Sequence, residues 1–155
     1  MYQVGHRYQT RRHGVFYTRK GGGESVNLDF SNSIMWNPWH GCHKKSEGCK
    51  NCYVYSQDSK FNIDTTVVKK SKTQFCLPIQ RDKYCDYNIK SNTLIKTCMT
   101  SDFFIEEADE YRTEALEIIQ ERTDLFFLII TKRPERIISL GLTNLLKSKK
   151  WEHVK

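Results

Sequence analysis

IMWNPWHGC, the stretch from Ile34 to Cys42, decides the fold of this chain because it joins a short apolar run to a loop of turn-forming residues. The run predicts a first β-strand over Ile34–Trp36. The strand is expected to end at Asn37-Pro38, because proline lacks the amide hydrogen that a strand pairs and restricts the residue before it. A tryptophan at a strand end most often fills the margin of a core, so Trp36 and Trp39 are expected to pack there rather than over a cofactor.

The loop that follows carries three cysteines at C-x6-C-x2-C spacing, namely Cys42, Cys49 and Cys52. Gly41 and Gly48 permit the positive φ angles with which a wrapping loop can turn its side chains toward one point. Crowded thiolates repel one another unless a cation or an iron-sulfur cluster takes up their charge. The spacing therefore predicts that these three cysteines are metal ligands.

Three thiolates leave one position of a four-coordinate site open, and two chemistries use that arrangement. In the first, a four-iron four-sulfur (4Fe-4S) cluster is held through three irons, and the fourth iron binds S-adenosylmethionine, which the reduced cluster cleaves to a radical. In the second, zinc takes the three cysteines with His40 or His43 as a fourth ligand in a closed structural site. A third interpretation leaves the thiols unligated.

The pattern of strand, loop and helix recurs about three times along the chain. Further strands are predicted at 93–99 and 124–130, and helices at 52–60, 104–122 and 135–140, whereas 62–92 shows no assignable pattern. Such alternation indicates an α/β fold with a parallel sheet. The cysteine loop and the loops around Thr100 and Thr131 are then expected to meet at the carboxyl ends of the strands, where such sheets bind ligands.

The composition is that of a soluble protein, and its positive charge is unevenly distributed. The chain has 155 residues and a formal charge of +7, but residues 1–23 hold five basic and no acidic residues, which leaves 20 basic and 18 acidic residues in the remainder. We predict that residues 1–30 are a disordered basic extension and that 31–155 form the domain. The longest apolar run, 125–130, is too short to cross a membrane, and the scattered remaining cysteines favour a reducing cytoplasm.

A resemblance to a known family rests on four motifs: WNPWHGC, SEGCKNCY, TSDFF with an acidic helix, and FLIITKRPER. In this order, from about Ile34 to Arg136, the chain resembles a phage- and bacteria-associated radical-SAM-like family of largely unknown function, and it is distantly similar to spore photoproduct lyase. The resemblance implies a partial (β/α) barrel of about three βα units, with Cys42, Cys49 and Cys52 as cluster ligands. The common radical-SAM spacing is C-x3-C-x2-C, but the family shares the longer spacing found here.

The resemblance also bears on two of the predicted loops. Ser101 and Asp102 are candidates to hydrogen-bond the amino or ribose groups of S-adenosylmethionine, and the alternative is that this pair caps the next helix. Lys132, with Arg133 beside it, is a candidate to contact a carboxylate or a phosphate, and the alternative is a solvated surface turn. Family members continue well past the TKR segment, so we expect a truncated domain that a second chain could complete.

Two classes of function follow from these observations. The first is an iron-sulfur, S-adenosylmethionine-dependent radical-type enzyme, or an incomplete fragment of one, that acts on nucleic acid. The second is a zinc-stabilised nucleic-acid-binding module without catalytic activity, which would use the basic extension and Lys147, Lys149 and Lys150. A decayed gene product without function is the third possibility.

Overall fold

The structure, a computed structural model, describes residues 10–11, 14–17, 26–28, 32–143 and 154, with side chains from residue 32 onward. In chain order its strands and α-helices are β1 (Thr10–Arg11), β2 (Gly14–Tyr17), β3 (Val26–Leu28), β4 (Ile34–Trp36), β5 (Trp39–His40), α1 (Tyr53–Lys60), β6 (Lys69–Lys70), β7 (Leu94–Thr97), α2 (Asp109–Glu121), β8 (Phe126–Ile129) and α3 (Pro134–Ser139). Short 3-10 helices lie at Glu47–Cys49, Leu77–Ile79 and Glu106–Ala108.

The central sheet has three parallel strands in the order β4, β7, β8. Ile34 pairs with Ile95, which pairs in turn with Phe127, and Phe127 also forms an isolated parallel bridge with Val154. The helices α1 and α2 lie in the connections between successive strands, as parallel pairing requires. The predicted α/β class with a parallel sheet is therefore confirmed, while the described strands form an open sheet rather than a closed barrel.

The core lies between one face of this sheet and the helices. Alternation along the strands directs Ile95 and Phe127 to the same face, and both side chains are fully buried. Trp36 packs edge-on against Phe127 at a centroid distance of 5.7 Å, and Trp39 packs against Phe103 at 5.2 Å. The expectation that both tryptophans belong to the core is confirmed.

The helix α2 follows the predicted apolar face, but it starts later than the sequence indicated. Ala108, Ala115 and Ile118 are buried, as the steps of three and four predicted. Phe104 is buried as well, yet it lies before the 3-10 turn at Glu106–Ala108 that precedes the helix. Backbone carbonyls of this preceding segment are bonded by the buried Arg112 instead of by a helical turn.

The segment 62–92, which the sequence left unassigned, contains only the short strand β6 and one 3-10 turn, and buried side chains bond parts of its backbone. The indole Nε1 of Trp36 donates to the carbonyls of Gln74 and Phe75 at 3.1 and 3.0 Å. Arg122 is fully buried and donates to the carbonyl of Ile89 at 2.8 Å and to that of Pro78. Side chains of the core thus supply partners for backbone carbonyls of this segment in addition to its own turns and strand pairing.

The predicted extension over residues 1–30 lies mostly outside the described residues. In the part that the structure describes, β1, β2 and β3 form an antiparallel sheet, where the sequence predicted no strand. Within the predicted domain, β5 pairs antiparallel with β6. Among the helices of the described chain, none has the length and apolar character needed to span a membrane.

Candidate functional site

The three loops at the carboxyl ends of β4, β7 and β8 meet, as the alternation of strands and helices predicted. The hydroxyl of Ser101, after β7, donates to the carbonyl of Gly41 in the loop after β4. The amide of Thr100 donates to Oδ1 of Asn37 at 3.2 Å, so the same two loops are joined twice. Hydrogen bonds therefore hold the loops after β4 and β7 together at the carboxyl edge of the sheet, although they are distant in the sequence.

Gly41 shapes the start of the cysteine loop. Its φ angle is +100°, and a Cβ placed there would lie 2.4 Å from the carbonyl oxygen of Val67. The next residue, Cys42, donates its amide to the carbonyl of Thr65 at 2.7 Å. Only glycine fits both the backbone angle and this close approach, so the glycine next to the first cysteine is a structural requirement.

Cys49 is buried and accepts hydrogen bonds from three directions. The amide of Lys45 and Nζ of Lys132 each lie 3.4 Å from its sulfur, and the hydroxyl of Ser46 lies 3.8 Å away. The hydrogen bond from the Lys45 amide is the main cause that lowers the pKa of Cys49 to about 7, and Ser46 and Lys132 lower it further, although burial opposes them. The site therefore stabilises a thiolate at this cysteine near neutral pH.

Cys42 is half-buried and lies beside a buried guanidinium. Nη1 of Arg133 is 4.0 Å from the sulfur of Cys42, and Nη2 donates to the carbonyl of His43 at 3.0 Å. Burial raises the pKa of Cys42, and the charge of Arg133 opposes that rise. The alternative in which the Lys132-Arg133 turn is only solvated is therefore wrong for Arg133, which is 4% exposed.

Cys52 precedes α1 and donates its amide to the carbonyl of Cys49 at 3.3 Å. All three cysteines lie near the phenol of Tyr55, whose pKa is raised by burial first and then by the charges of Cys42, Cys52 and Cys49. Within the described part of the chain, no group of three or more His, Cys, Asp or Glu side chains is preassembled to hold a metal. The metal-ligand role of the three cysteines stays a prediction.

The donor set around the sulfurs nevertheless fits an anionic metal-thiolate group. Iron-sulfur clusters carry negative charge on their sulfurs and are stabilised by hydrogen bonds and nearby cations. Cys49 and Cys42 have such neighbours in the ammonium of Lys132 and the guanidinium of Arg133. Closing the loop around a cluster would bring together thiolates that already lie close to cations.

Asp102 links the loop after β7 to the loop after β8. Its Oδ1 accepts from the hydroxyl of Thr131 at 2.7 Å and the amide of Phe104 at 2.9 Å. Its Oδ2 accepts from the amide of Lys132 at 2.8 Å and lies 3.5 Å from Nη1 of Arg133. The buried carboxylate thus fixes the backbone that carries both cations.

The interpretation of Ser101 and Asp102 as a helix cap is wrong. The 3-10 turn before α2 begins at Glu106, and its N-cap residue is Ile105, without a side-chain cap. Both residues instead bond the neighbouring loops. Their contact with a cofactor, like that of Lys132, stays a prediction, and in the structure each of the three side chains already has a protein partner.

Both loop histidines are paired with carboxylates. Nε2 of His40 lies 2.8 Å from Oδ2 of Asp58, and Nε2 of His43 lies 2.6 Å from Oε1 of Glu107. A zinc site that took Nε2 of either imidazole would have to displace its carboxylate. The role of either histidine as a fourth zinc ligand also stays a prediction.

Sequence reasoning missed Asp58, which supports the loop from beneath. Asp58 is buried on α1 and accepts from the hydroxyl of Thr65 at 2.7 Å in addition to facing His40. The sequence did contain a signal for Asp58, because it follows Val54 by four residues and so lies on the same face of the predicted helix. A carboxylate on a face that is buried needs hydrogen-bond partners.

The fold and the site together define an α/β protein with a thiol-rich loop at the carboxyl edge of a parallel sheet. A family model described as a protein of unknown function, DUF5131, matches residues 27–153, and the chain belongs to this family. No curated protein and no solved structure matches the chain.

Proposed function

We propose that this protein holds an iron-sulfur cluster through Cys42, Cys49 and Cys52 and belongs among radical-type enzymes that use S-adenosylmethionine, as a whole enzyme or a part of one. The observation that carries the proposal is the pairing of thiols with cations at the carboxyl edge of the sheet. Lys132 approaches the sulfur of Cys49 and Arg133 that of Cys42, although 83 and 91 residues separate the two members of each pair in the chain.

The chain's own residues have distinct parts in this proposal. The three cysteines would bind iron, and the protein would leave one iron open because it offers three thiolates on the loop. When bound, such a cluster supplies the electron that cleaves S-adenosylmethionine to an organic radical. The buried Trp36 and Trp39 belong to the core against which Cys42, the first of the three cysteines, packs.

We further propose that the open sheet is part of a (β/α) barrel. The parallel bridge between Phe127 and Val154 supports this, because it places a further parallel partner beside β8. The outer edge of β4 is unpaired in the described sheet, and a second chain is one source of the strands that a barrel would need.

A zinc-stabilised module is the competing function, and the two functions differ in whether a fourth protein ligand closes the site. Structural zinc sites are usually closed by a fourth protein ligand. Here both histidines next to the thiols are bonded to Asp58 and Glu107. These bonds occupy Nε2 of each imidazole and leave Nδ1 as the nitrogen that could bind zinc, as in zinc sites whose histidines bond a carboxylate, so metal analysis of the purified protein separates the two functions.

Anaerobic reconstitution with iron and sulfide tests the proposal. The wild-type protein is expected to develop a broad absorption near ~400 nm together with cysteine-dependent iron and sulfide binding. The triple variant Cys42→Ala, Cys49→Ala, Cys52→Ala should bind no cluster. The matched control, Cys76→Ala with Cys85→Ala, removes two exposed thiols and should bind the same amount of iron as the wild type.

Two outcomes would contradict the proposal. One is a colourless protein that binds one equivalent of zinc after both metals are offered. The other is equal iron uptake by the triple variant and the wild type, which would show adventitious binding.

A further inference from the structure

We infer that Lys132 and Arg133 are positioning residues that set the reduction potential of the cluster, each by acting on one thiolate. The inference rests on the proposed function, since it concerns the same thiol loop. It assigns to Lys132 a contact with a ligand sulfur instead of the contact with a carboxylate or phosphate that the sequence suggested.

Lys132 reaches the buried sulfur from the solvent side of the loop. Its Nζ lies 3.4 Å from the sulfur of Cys49. The same Nζ would lie 3.3 Å from a Cβ placed at Gly48. The ammonium therefore occupies space that is open because residue 48 has no side chain, and this close approach brings its charge next to Cys49.

Arg133 acts on the other cysteine from inside the protein. Its guanidinium is buried, with Nη1 at 4.0 Å from the sulfur of Cys42 and Nη2 bonded to the carbonyl of His43 at 3.0 Å. Asp102 and Glu106 each lie 3.5 Å from it. The buried side chain is held in one place by partners on three sides, as a positioning role requires.

The backbone of the cation pair is fixed independently of the thiols. The amide of Lys132 is bonded to Asp102 at 2.8 Å, and the amide of Arg133 to the hydroxyl of Thr131 at 2.9 Å. The loop after β8 therefore holds the backbone of both residues in place before any metal binds, and the side chain of Arg133 is held as well because it is buried. Such preorganisation distinguishes Arg133 from a mobile surface charge.

Cations beside the thiolates should make it easier for the cluster to accept an electron. Reduction of a cluster adds negative charge, which nearby cations and hydrogen bonds to the sulfurs stabilise. Both residues should therefore raise the reduction potential. The buried charge of Arg133 is screened less by solvent than the exposed charge of Lys132, so its removal should have the larger effect.

The experiment is a dithionite titration of reconstituted protein, followed by electron paramagnetic resonance. Lys132→Gln and Arg133→Gln are expected to move the midpoint potential to more negative values, and Arg133→Gln to move it further. Lys132→Arg keeps the charge and should restore most of the wild-type potential. The matched control is Lys70→Gln, because Lys70 lies on β6 outside the cysteine loop and its Nζ pairs with Glu114 at 2.7 Å.

The possible outcomes separate this inference from the proposed function. Equal potentials for wild type, Lys132→Gln and Arg133→Gln would overturn the inference while the cluster itself stands. A shift in Lys70→Gln as large as that in Lys132→Gln would also overturn it, because net charge alone would then explain the effect. A wild-type protein without a cluster would refute the proposed function, and the inference with it. If Arg133→Gln does not fold, the exposed Lys132 variants still decide the question.

Discussion

Replacing Gly41 by alanine is the sharpest test of how the cysteine loop is built. The substitution adds one methyl group at a residue whose φ angle is +100°, next to the first proposed ligand. The new Cβ would lie 2.4 Å from the carbonyl oxygen of Val67 and 3.0 Å from the Cα of Val68. Both neighbours are backbone atoms, so relief requires movement of the chain rather than rotation of a side chain.

The expected cost combines two terms. Holding a non-glycine residue in a sparsely populated backbone region costs on the order of 1–3 kcal/mol. Relieving the contact with the Val67 backbone costs about 1–3 kcal/mol more, as for overpacked sites in general. Together they give a loss of about 2–6 kcal/mol in unfolding free energy. A loss of about 3 kcal/mol would lower the midpoint of thermal unfolding by roughly 6–12 °C for a chain of this size.

The assay is urea unfolding of the reduced metal-free protein, followed by circular dichroism. Gly48→Ala is the matched control, because its φ angle is not positive and its nearest contacts are the ends of flexible side chains, Lys132 Nζ at 3.3 Å and Ser46 Oγ at 3.7 Å. This control should stay within about 0.5 kcal/mol of the wild type. A Gly41→Ala protein as stable as Gly48→Ala would refute the account of the loop.

Three further predictions concern the core and the thiols. Trp36→Phe removes a buried N–H shared by two carbonyls and should cost about 1–3 kcal/mol of unfolding free energy in urea; a change near zero would contradict this. Arg122→Met leaves the buried carbonyls of Pro78 and Ile89 without donors and should lower the free energy of unfolding by about 2–4 kcal/mol. In this variant, proteolysis should be faster within 76–92 than elsewhere in the protein. The pKa of Cys49 is lowered to about 7, so its alkylation by iodoacetamide should rise with pH through a midpoint near pH 7, as measured by mass spectrometry. Burial raises the pKa of Cys98, so Cys98 should be protected from alkylation at the same pH. Equal modification of both cysteines at pH 7 would speak against the hydrogen bonds at Cys49.

Much of the fold could be predicted because the strands and helices of the sheet unit carry strong local signals. The strand Ile34–Trp36 is found as predicted, and the helix expected from Cys52 to Lys60 begins one residue later. The irregular segment 62–92 could not be predicted, since its order comes from distant side chains such as Arg122 that no local pattern reveals. The late start of α2 has the same origin, because Arg112 bonds the preceding carbonyls.

The site was predictable in its position but not in its contacts. Parallel strands bring their carboxyl ends to one edge, so the topology alone placed the cysteine loop beside Ser101 and Lys132. Residue type could not reveal that the carboxylate of Asp102 would bond the loop after β8 rather than cap a helix. Which partners Asp102 bonds depends on how the loops after β7 and β8 lie beside each other, and that arrangement exists only in the folded sheet.

The hydrogen bonds between the loops after β4 and β7 have a consequence for amide hydrogen exchange. The amide of Thr100 is protected only while Asn37 faces it, and the phenol of Tyr53 holds the carbonyl of Met99 from the far end of the cysteine loop. Neither loop can open without releasing the other, so their amides should exchange with similar opening free energies, as one cooperative unit. A ligand that binds the thiols would then slow exchange in residues that it never touches.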